Sequence, residues 1–222
     1  MLKIIQTMAL WGMDVFPVEV QVDVRNGLPG FSLVGLPDSS IREARDRVGA
    51  ALSNSGYELP PRKYTINLAP ADRKKEGSSF DLPIALGILA TIENISVCED
   101  FVFVGELGLD AKVRKVSGII AMAQKVKEMG KVLVFPNTQI HEIAKVKDLL
   151  SLSVSCVQDL LTITQKKPKC RFKNSTQEFE FPIKFEDIIG LDHIKRGLEI
   201  AALGRHSVCL LYTSPSPRDS DS

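Results

Sequence analysis

The sequence has little of what marks a metal centre or a disulfide-stapled domain. Its 222 residues contain four cysteines, none of them in a Cys-x-x-Cys pair, and three histidines that do not cluster with them. This scatter argues against a zinc site and against a disulfide framework, and it is compatible with a reducing cytosol. We therefore expect no bound metal and a cytoplasmic protein.

An excess of one charge and long apolar runs are also missing. The 28 basic residues nearly balance the 27 acidic ones, so the net charge of +1 creates no global field for nucleic acid. No stretch approaches the roughly 18 uninterrupted apolar residues of a membrane span. The N-terminal segment MLKIIQTMALWGMDVF also lacks a signal-peptide cleavage pattern. We expect no membrane partner, and a nucleic acid would have to meet a local basic patch.

Alternating polar and apolar residues predict strands at the start of the chain. Residues 18–24 have this pattern, and residues 4–11 and 31–34 are also interpreted as strands. Two turn dipeptides, Asn26-Gly27 and Pro29-Gly30, precede the third strand, which indicates an antiparallel meander. A helix follows from about residue 39, and short strands then alternate with helices as far as residue 164. The order predicts an α+β (mixed α/β) domain over residues 1–164.

Composition changes after residue 164. Residues 165–182 are polar, contain two prolines and carry a run of basic side chains, which is typical of a linker. Residues 183–207 return to an ordered pattern, with a helix predicted from about residue 191 to 203. Residues 208–222 end in the low-complexity string TSPSPRDSDS, which we expect to be a disordered or non-native tail.

A Gly-Ser-Ser turn at residues 77–79 opens directly into a strongly apolar helix. A serine in this position can cap the helix by accepting a hydrogen bond from a first-turn N–H. It can also be a nucleophile beside free backbone N–H groups that stabilise an oxyanion. The local sequence leaves both roles open, although capping is the more common one.

Four segments together identify a family resemblance. The chain resembles the N-terminal part of the ComM/YifB-type, Mg-chelatase-like AAA ATPases over nearly everything up to residue 207. The resemblance implies a Lon protease-like domain, with the fold of ribosomal protein S5 domain 2, followed by the start of an AAA+ module. The segments that carry it are residues 27–52, 66–89, 103–119 and 185–204, among them INLAPADRKKEGSSFDLPIALGIL and FEDIIGLDHIKRGLEIAALG.

The Lon likeness implies where a nucleophile and its base would lie. Lon-type proteases use a Ser–Lys dyad, and the alignment puts Ser79 at the nucleophile position. With Gly105-Glu106 in register, the lysine position falls on Met122, whose thioether cannot accept the serine proton. Lys125 lies one helical turn further and is a substitute base that we considered.

The residues that follow the serine also depart from Lon. Phe80 and Asp81 replace small residues, and a carboxylate there would oppose an oxyanion. We therefore predict no catalytic residue and a non-proteolytic scaffold in which Ser79 caps its helix.

The AAA+ likeness implies a nucleotide site that this sequence does not complete. The phosphate-binding string G-x-x-x-x-G-K-[S/T] does not occur in it. The family's adenine pocket is bordered by the segment that corresponds here to Ile188, Ile189, Gly190 and Leu191. The resemblance thus implies ATP and Mg²⁺ for a full-length parent, and we expect none for this chain, which we interpret as truncated before its ATPase.

The function implied by the resemblance is that of a hexameric, ATP-driven motor that acts on DNA in branch migration during natural transformation. We leave open whether this chain has enzymatic activity of its own. Two alternatives also remain: an active Ser–Lys peptidase of the Lon type, and a pure oligomerisation module. The candidate DNA contacts are basic side chains of the first domain, namely Arg62, Lys63, Arg73, Lys74 and Lys75, with Arg42, Arg45 and Arg47 as further positions.

Overall fold

The computed structural model describes residues 2–12, 14–164 and 185–209. The chain divides into two compact units, residues 1–175 and 176–222. The predicted linker at residues 165–182 lies outside the described residues. Of the predicted tail at residues 208–222, the part from residue 210 onward also lies outside them.

Seven strands of the first unit form one sheet, in the order β3-β4-β2-β1-β5-β8-β9. Two more short strands, β6 and β7, form a separate antiparallel hairpin. The strands are β1 Leu2–Trp11, β2 Asp14–Arg25, β3 Gly30–Val34, β4 Lys63–Ala69, β5 Phe101–Phe103, β6 Glu106–Leu107, β7 Val113–Arg114, β8 Val132–Pro136 and β9 Leu150–Val154.

Strand pairing in the large sheet is mostly parallel. Only β1–β2 and β2–β4 are antiparallel, whereas β3–β4, β1–β5, β5–β8 and β8–β9 are parallel. The predicted meander is therefore wrong in its third strand. Strand β3 pairs in parallel with β4 because a helix crosses over between them in the sequence, as parallel neighbours require. The predicted mixed α/β class is confirmed.

The helices of the first unit cover both faces of the sheet. They are α1 Ser39–Asn54, α2 Asp81–Ile92, α3 Ile119–Glu128, α4 Ile140–Ile143 and α5 Gln158–Thr164, with a 3₁₀ turn at Asn137–Gln139. In β1, Ile5 and Ala9 belong to the core cluster that contains α1 and α2, whereas Met8 belongs to the cluster that contains α3. Successive strand side chains point to opposite faces, so one strand contributes to both cores.

Helix α2 is the most deeply buried of these helices. Every residue from Asp81 to Ala90 is buried, which fits a sequence that is apolar on all sides. Gly87 allows the helix to pack closely on the sheet, since a Cβ atom there would lie 2.5 Å from a methyl carbon of Val22. The predicted apolar helix is confirmed, and its N-terminus fixes the position of the Gly-Ser-Ser turn.

The second unit contains a 3₁₀ turn at Phe185–Asp187 and one helix, α6, at Asp192–Leu203. The helix confirms the prediction within one residue. None of its residues is buried in the described part of the chain, and Leu203 is 84% exposed. Over the described ranges, the helices are too short or too polar for any of them to cross a membrane.

Substitution of Gly35, which follows β3, tests how closely the chain approaches β4, and substitution of Gly49 is the control. Gly35 has φ of +98°, and a Cβ atom there would lie 2.2 Å from the carbonyl oxygen of Leu68. We expect Gly35→Ala to lower the free energy of unfolding by about 2 kcal/mol or more. Gly49 in α1 has no atom within 4 Å of its would-be Cβ, so Gly49→Ala should add up to about 1 kcal/mol. Urea denaturation followed by circular dichroism measures both, and equal effects would contradict the close approach.

Candidate functional site

The Gly-Ser-Ser turn lies beside a cavity of about 100 Å³ at the N-terminal end of α2. The structure brings Ser79 and Met122 to this one cavity, although they are far apart in the sequence. These are the two positions that the Lon alignment pairs as nucleophile and base. The complete lining consists of Leu10, Glu76, Gly77, Ser78, Ser79, Val116, Ser117 and Met122.

Ser79 does not cap α2, which corrects the expectation from the sequence. The helix begins at Asp81, and no side chain accepts a hydrogen bond from its first turn. The N–H of Leu82 is instead satisfied by the carbonyl of Gly105 at 3.0 Å, and the N–H of Gly105 donates to the carbonyl of Ser79 at 3.1 Å. The side chain of Ser79 is only 6% exposed, and its hydroxyl has no hydrogen-bond partner among the described residues.

The serine that does have a partner is Ser78. Its hydroxyl donates to the carboxylate of Glu106 at the start of β6. The sequence interpretation used Gly105-Glu106 only to set the register with Lon and missed this bond. The bond joins the Gly-Ser-Ser turn to the β6–β7 hairpin.

The cavity has no strong proton acceptor for Ser79. Met122 is buried on α3 and presents a thioether. Lys125, the substitute base that we considered, pairs with Glu128 at 2.9 Å and does not line the cavity. Of the described lining residues, Glu76 alone is titratable, and its carboxylate pairs with Lys74 at 2.9 Å. The arrangement therefore offers a hydroxyl without a base of the Lon type.

A buried ion pair holds the turn in place. The Nε of Arg47 donates to Oδ2 of Asp81 at 2.7 Å, and its Nη2 donates to Oδ1 at 3.0 Å. The same Nη2 donates to the carbonyl of Ser40 at 2.9 Å, and the N–H of Leu107 donates to Asp81 at 3.2 Å. These bonds connect α1, α2 and β6 through a carboxylate that is fully buried.

Burial and pairing act in opposite directions on these two side chains. Loss of solvent raises the pKa of Asp81, while the guanidinium of Arg47 and the N–H of Leu107 act to lower it. The hydrogen bond from Arg47 to Asp81 raises the pKa of the guanidinium, which stays charged. Two interpretations from the sequence are thereby wrong. Asp81 faces Arg47 rather than opposing an oxyanion, and Arg47 is not a free cation for DNA.

The other sequence-derived DNA candidates occupy two separate places. Arg62 and Lys63 are exposed where β4 begins, and Arg73 and Lys74 are exposed after β4 ends. The strand length of roughly 20 Å separates the two pairs. The guanidinium of Arg73 lies 5.2 Å from the ring centroid of Phe16, in a cation–π contact. The structure does not unite these residues into one patch, and their role in DNA binding stays a prediction.

Two further arginines of α1 are solvent-exposed. Arg42 has no ion pair among the described residues, and Arg45 pairs with its neighbour Asp46 at 2.9 Å. Their contact with DNA likewise stays a prediction.

Lys75 does not fit a DNA contact, which corrects that prediction. Its side chain is fully buried, and its ammonium donates to the carbonyls of Pro70 and Arg73, the latter at 2.7 Å. Burial lowers the pKa of this lysine. A cation enclosed in this way orders the loop after β4 and cannot reach a phosphate.

The segment that the AAA+ likeness assigns to the adenine pocket lies in the second unit. Ile188, Ile189, Gly190 and Leu191 are exposed, with Ile189 at 97%. Their side chains are apolar or absent and supply no donor for a triphosphate. Over the described ranges, three potential metal ligands of the His, Cys, Asp or Glu type nowhere come together. The described residues therefore fit at most an adenine edge and do not fit the phosphates or Mg²⁺ of ATP.

Comparisons with known proteins identify the family of this chain. Residues 20–139 match the family model described as subunit ChlI of Mg-chelatase. The chain is 36% identical over 214 residues to the uncharacterized protein YifB of Escherichia coli, an alignment that covers 95% of this chain and 42% of YifB. It is 36% identical over 223 residues to the competence protein ComM of Haemophilus influenzae, covering 96% and 43%. The chain thus spans about two fifths of the length of these relatives.

The buried ion pair can be tested by removing its cation. Arg47→Ala leaves the Asp81 carboxylate buried without a counter-charge, so we expect a loss of about 3 kcal/mol in the free energy of unfolding at pH 7. The loss should shrink as the pH falls, because the unpaired carboxyl then binds a proton and a neutral acid is less costly to bury. Urea denaturation across pH 5–8 measures it.

A matched control is Arg45→Ala in the same helix. Arg45 pairs only with the exposed Asp46, so its removal should change stability by less than about 0.5 kcal/mol. Equal losses in the two variants would show that the Arg47–Asp81 pair has no special role.

The cavity can also be tested by restoring a base. A lysine introduced by Met122→Lys would be largely desolvated, which lowers its pKa and suits it to accept the proton of Ser79. We expect a serine-reactive fluorophosphonate to label this variant at least tenfold faster than the unchanged chain, with the label on Ser79. Met122→Leu serves as the control for altered packing, and Met122→Lys/Ser79→Ala should lose the label. Equal labelling of all the variants would contradict the proximity of the two positions.

Proposed function

We propose, since this chain belongs to the family of Mg-chelatase subunit ChlI, that it forms the N-terminal part of an ATP-driven, hexameric AAA+ motor that acts on DNA. In this proposal the first unit is a non-proteolytic, Lon-like scaffold, and the second unit begins the ATPase module. The motor would work in the cytoplasm, in branch migration of DNA taken up in natural transformation.

The DNA-directed part of the proposal is supported by the relatives. One of them carries the name competence protein, and the similarity to it extends over nearly the whole chain. The chain covers 43% of that protein, and in this proposal the nucleotide site belongs to the part of the relative that the chain does not cover. ATP and Mg²⁺ are accordingly assigned to the complete protein.

One observation carries the scaffold assignment. Ser79 and Met122 line one cavity, and they are the positions that the Lon alignment assigns to the nucleophile and its base. A thioether does not accept a proton from a hydroxyl at neutral pH. The cavity therefore supports a role in holding the fold rather than in hydrolysing peptides.

Two other functions make different predictions. An active Ser–Lys peptidase of the Lon type would react with a fluorophosphonate at Ser79 without any substitution. A pure oligomerisation module would form a ring-sized species without ATP and would show no affinity for DNA. The motor differs from both, because it couples ATP hydrolysis to DNA.

The complete protein provides the test. We expect its ATPase rate to rise severalfold on addition of forked DNA, and mass photometry to detect hexamers in the presence of ATP. A variant that lacks the lysine of its phosphate-binding loop is the control and should lose hydrolysis while keeping its fold. An ATPase rate that DNA does not change, together with Ser79-dependent peptide cleavage, would overturn the proposal.

A further inference from the structure

The β6–β7 hairpin forms one side of an open groove of about 610 Å³ in the first unit. Thr138, in the 3₁₀ turn that follows β8, also lines this groove. We call this feature the hairpin groove, and its lining consists of Glu106, Asp110, Lys112, Val113, Arg114, Lys115 and Thr138. None of these basic residues was among the sequence-derived DNA candidates.

Three of the lining residues are cations, and all three are exposed. The side chains of Lys112 and Arg114 are 75% and 57% exposed. Lys115 is exposed as well and has no ion pair within the part of the chain that the structure describes. Exposed cations of this kind are available to a ligand in solvent.

The two acids of the groove already have partners. Glu106 accepts the hydrogen bond from Ser78. Asp110 lies 3.8 Å from the ammonium of Lys112 and 3.6 Å from the guanidinium of Arg114. Asp110 therefore holds these two cations side by side, and the lining as a whole has one positive charge in excess.

Local backbone geometry gives the groove its shape. Lys112 and Arg114 are two residues apart across an extended segment, so their side chains leave the hairpin on the same side. The guanidinium of Arg114 packs over Gly108, where a Cβ atom would lie 2.5 Å from its Nε and 2.4 Å from Oδ1 of Asp110. Gly108 thus leaves room for the Asp110–Arg114 contact.

We infer that the hairpin groove binds the phosphodiester backbone of DNA, an inference that rests on the proposed function. Arginine, lysine and a threonine hydroxyl are typical donors to phosphate oxygens. The described lining contains no aromatic side chain on which a base could stack. The contact is therefore to the backbone and does not depend on the base sequence.

The groove fits this role better than the basic pairs that the sequence indicates. Arg62–Lys63 and Arg73–Lys74 lie at opposite ends of β4, whereas Lys112, Arg114 and Lys115 line one surface. A second groove, of about 370 Å³, is lined by three lysines, Lys127, Lys145 and Lys147, and by Glu128, but its described lining has neither an arginine nor a hydroxyl group. This second groove provides a matched control surface for charge reversal.

The test measures binding of the 222-residue chain to a fluorescent DNA duplex at several salt concentrations. We expect Lys112→Glu/Lys115→Glu to weaken binding roughly tenfold or more, and to flatten the slope of log affinity against log salt by about two, one per lost phosphate contact. Lys127→Glu/Lys147→Glu changes the net charge equally and should leave the affinity within about twofold. Circular dichroism and thermal unfolding confirm that both variants fold.

A variant without a charge change separates geometry from net charge. Gly108→Ala should displace the ends of Asp110 and Arg114 and weaken binding about twofold to fivefold, because one phosphate contact is disturbed.

Two results of the charge-reversal experiment would overturn the hairpin groove as the binding site. One is equal weakening by both charge-reversal pairs, and the other is undiminished binding by Lys112→Glu/Lys115→Glu. The proposed function would survive either result. Failure of the unchanged chain to bind any DNA in low salt would overturn the inference, while DNA-stimulated ATP hydrolysis by the complete protein would still test the proposed function.

Discussion

The ion pair between Arg47 and Asp81 is the interaction on which the candidate site depends. Asp81 is the first residue of α2, and its carboxylate is buried. Two hydrogen bonds from Arg47 join this carboxylate to α1. The same carboxylate accepts the N–H of Leu107 and so fixes the start of the hairpin. A buried charge is tolerated only with a partner of this quality. One carboxylate consequently links α1, α2 and β6, beside the apolar core that they share.

The Gly-Ser-Ser turn follows from this constraint. With α2 held by Asp81, the helix needs no serine cap, because the carbonyl of Gly105 satisfies the N–H of Leu82. Ser79 lines a small cavity together with Met122, and its hydroxyl has no hydrogen-bond partner among the described residues. Ser78 makes the bond that joins the turn to Glu106, at the edge of the hairpin groove. The turn therefore has a structural role that does not require a reactive serine.

Much of the fold follows from sequence periodicity. The strand patterns and the apolar α2 predict the elements of the first unit, and turn residues mark their ends. Strand order does not follow in the same way. Strand β3 does not pair with β2, the strand before it in the sequence, but with β4, from which α1 separates it along the chain. Edge position and parallel pairing depend on the packing of α1, which no local pattern records.

The site was only partly predictable for a related reason. The register with Lon correctly brought Ser79 and Met122 together, because it depends on two motifs at a fixed separation. Charge was interpreted less well, since a lysine or arginine in a sequence looks the same whether it is exposed or buried. Arg47 and Lys75 bind internal partners. The side chains of Lys112, Arg114 and Lys115 are exposed instead, with Lys112 and Arg114 beside Asp110. The spacing of two residues between Lys112 and Arg114 was the signal that could have indicated a common face.

The most direct test of this account is a double-mutant cycle for Arg47 and Asp81, with stability measured by urea denaturation. Arg47→Met, Asp81→Leu and the double variant give the coupling energy, and Ser79→Ala is measured beside them. We predict a coupling of about 2–3 kcal/mol and a change below about 0.5 kcal/mol for Ser79→Ala. A coupling near zero, or a large loss on removing the serine hydroxyl, would contradict the claim that the ion pair rather than the serine holds the turn.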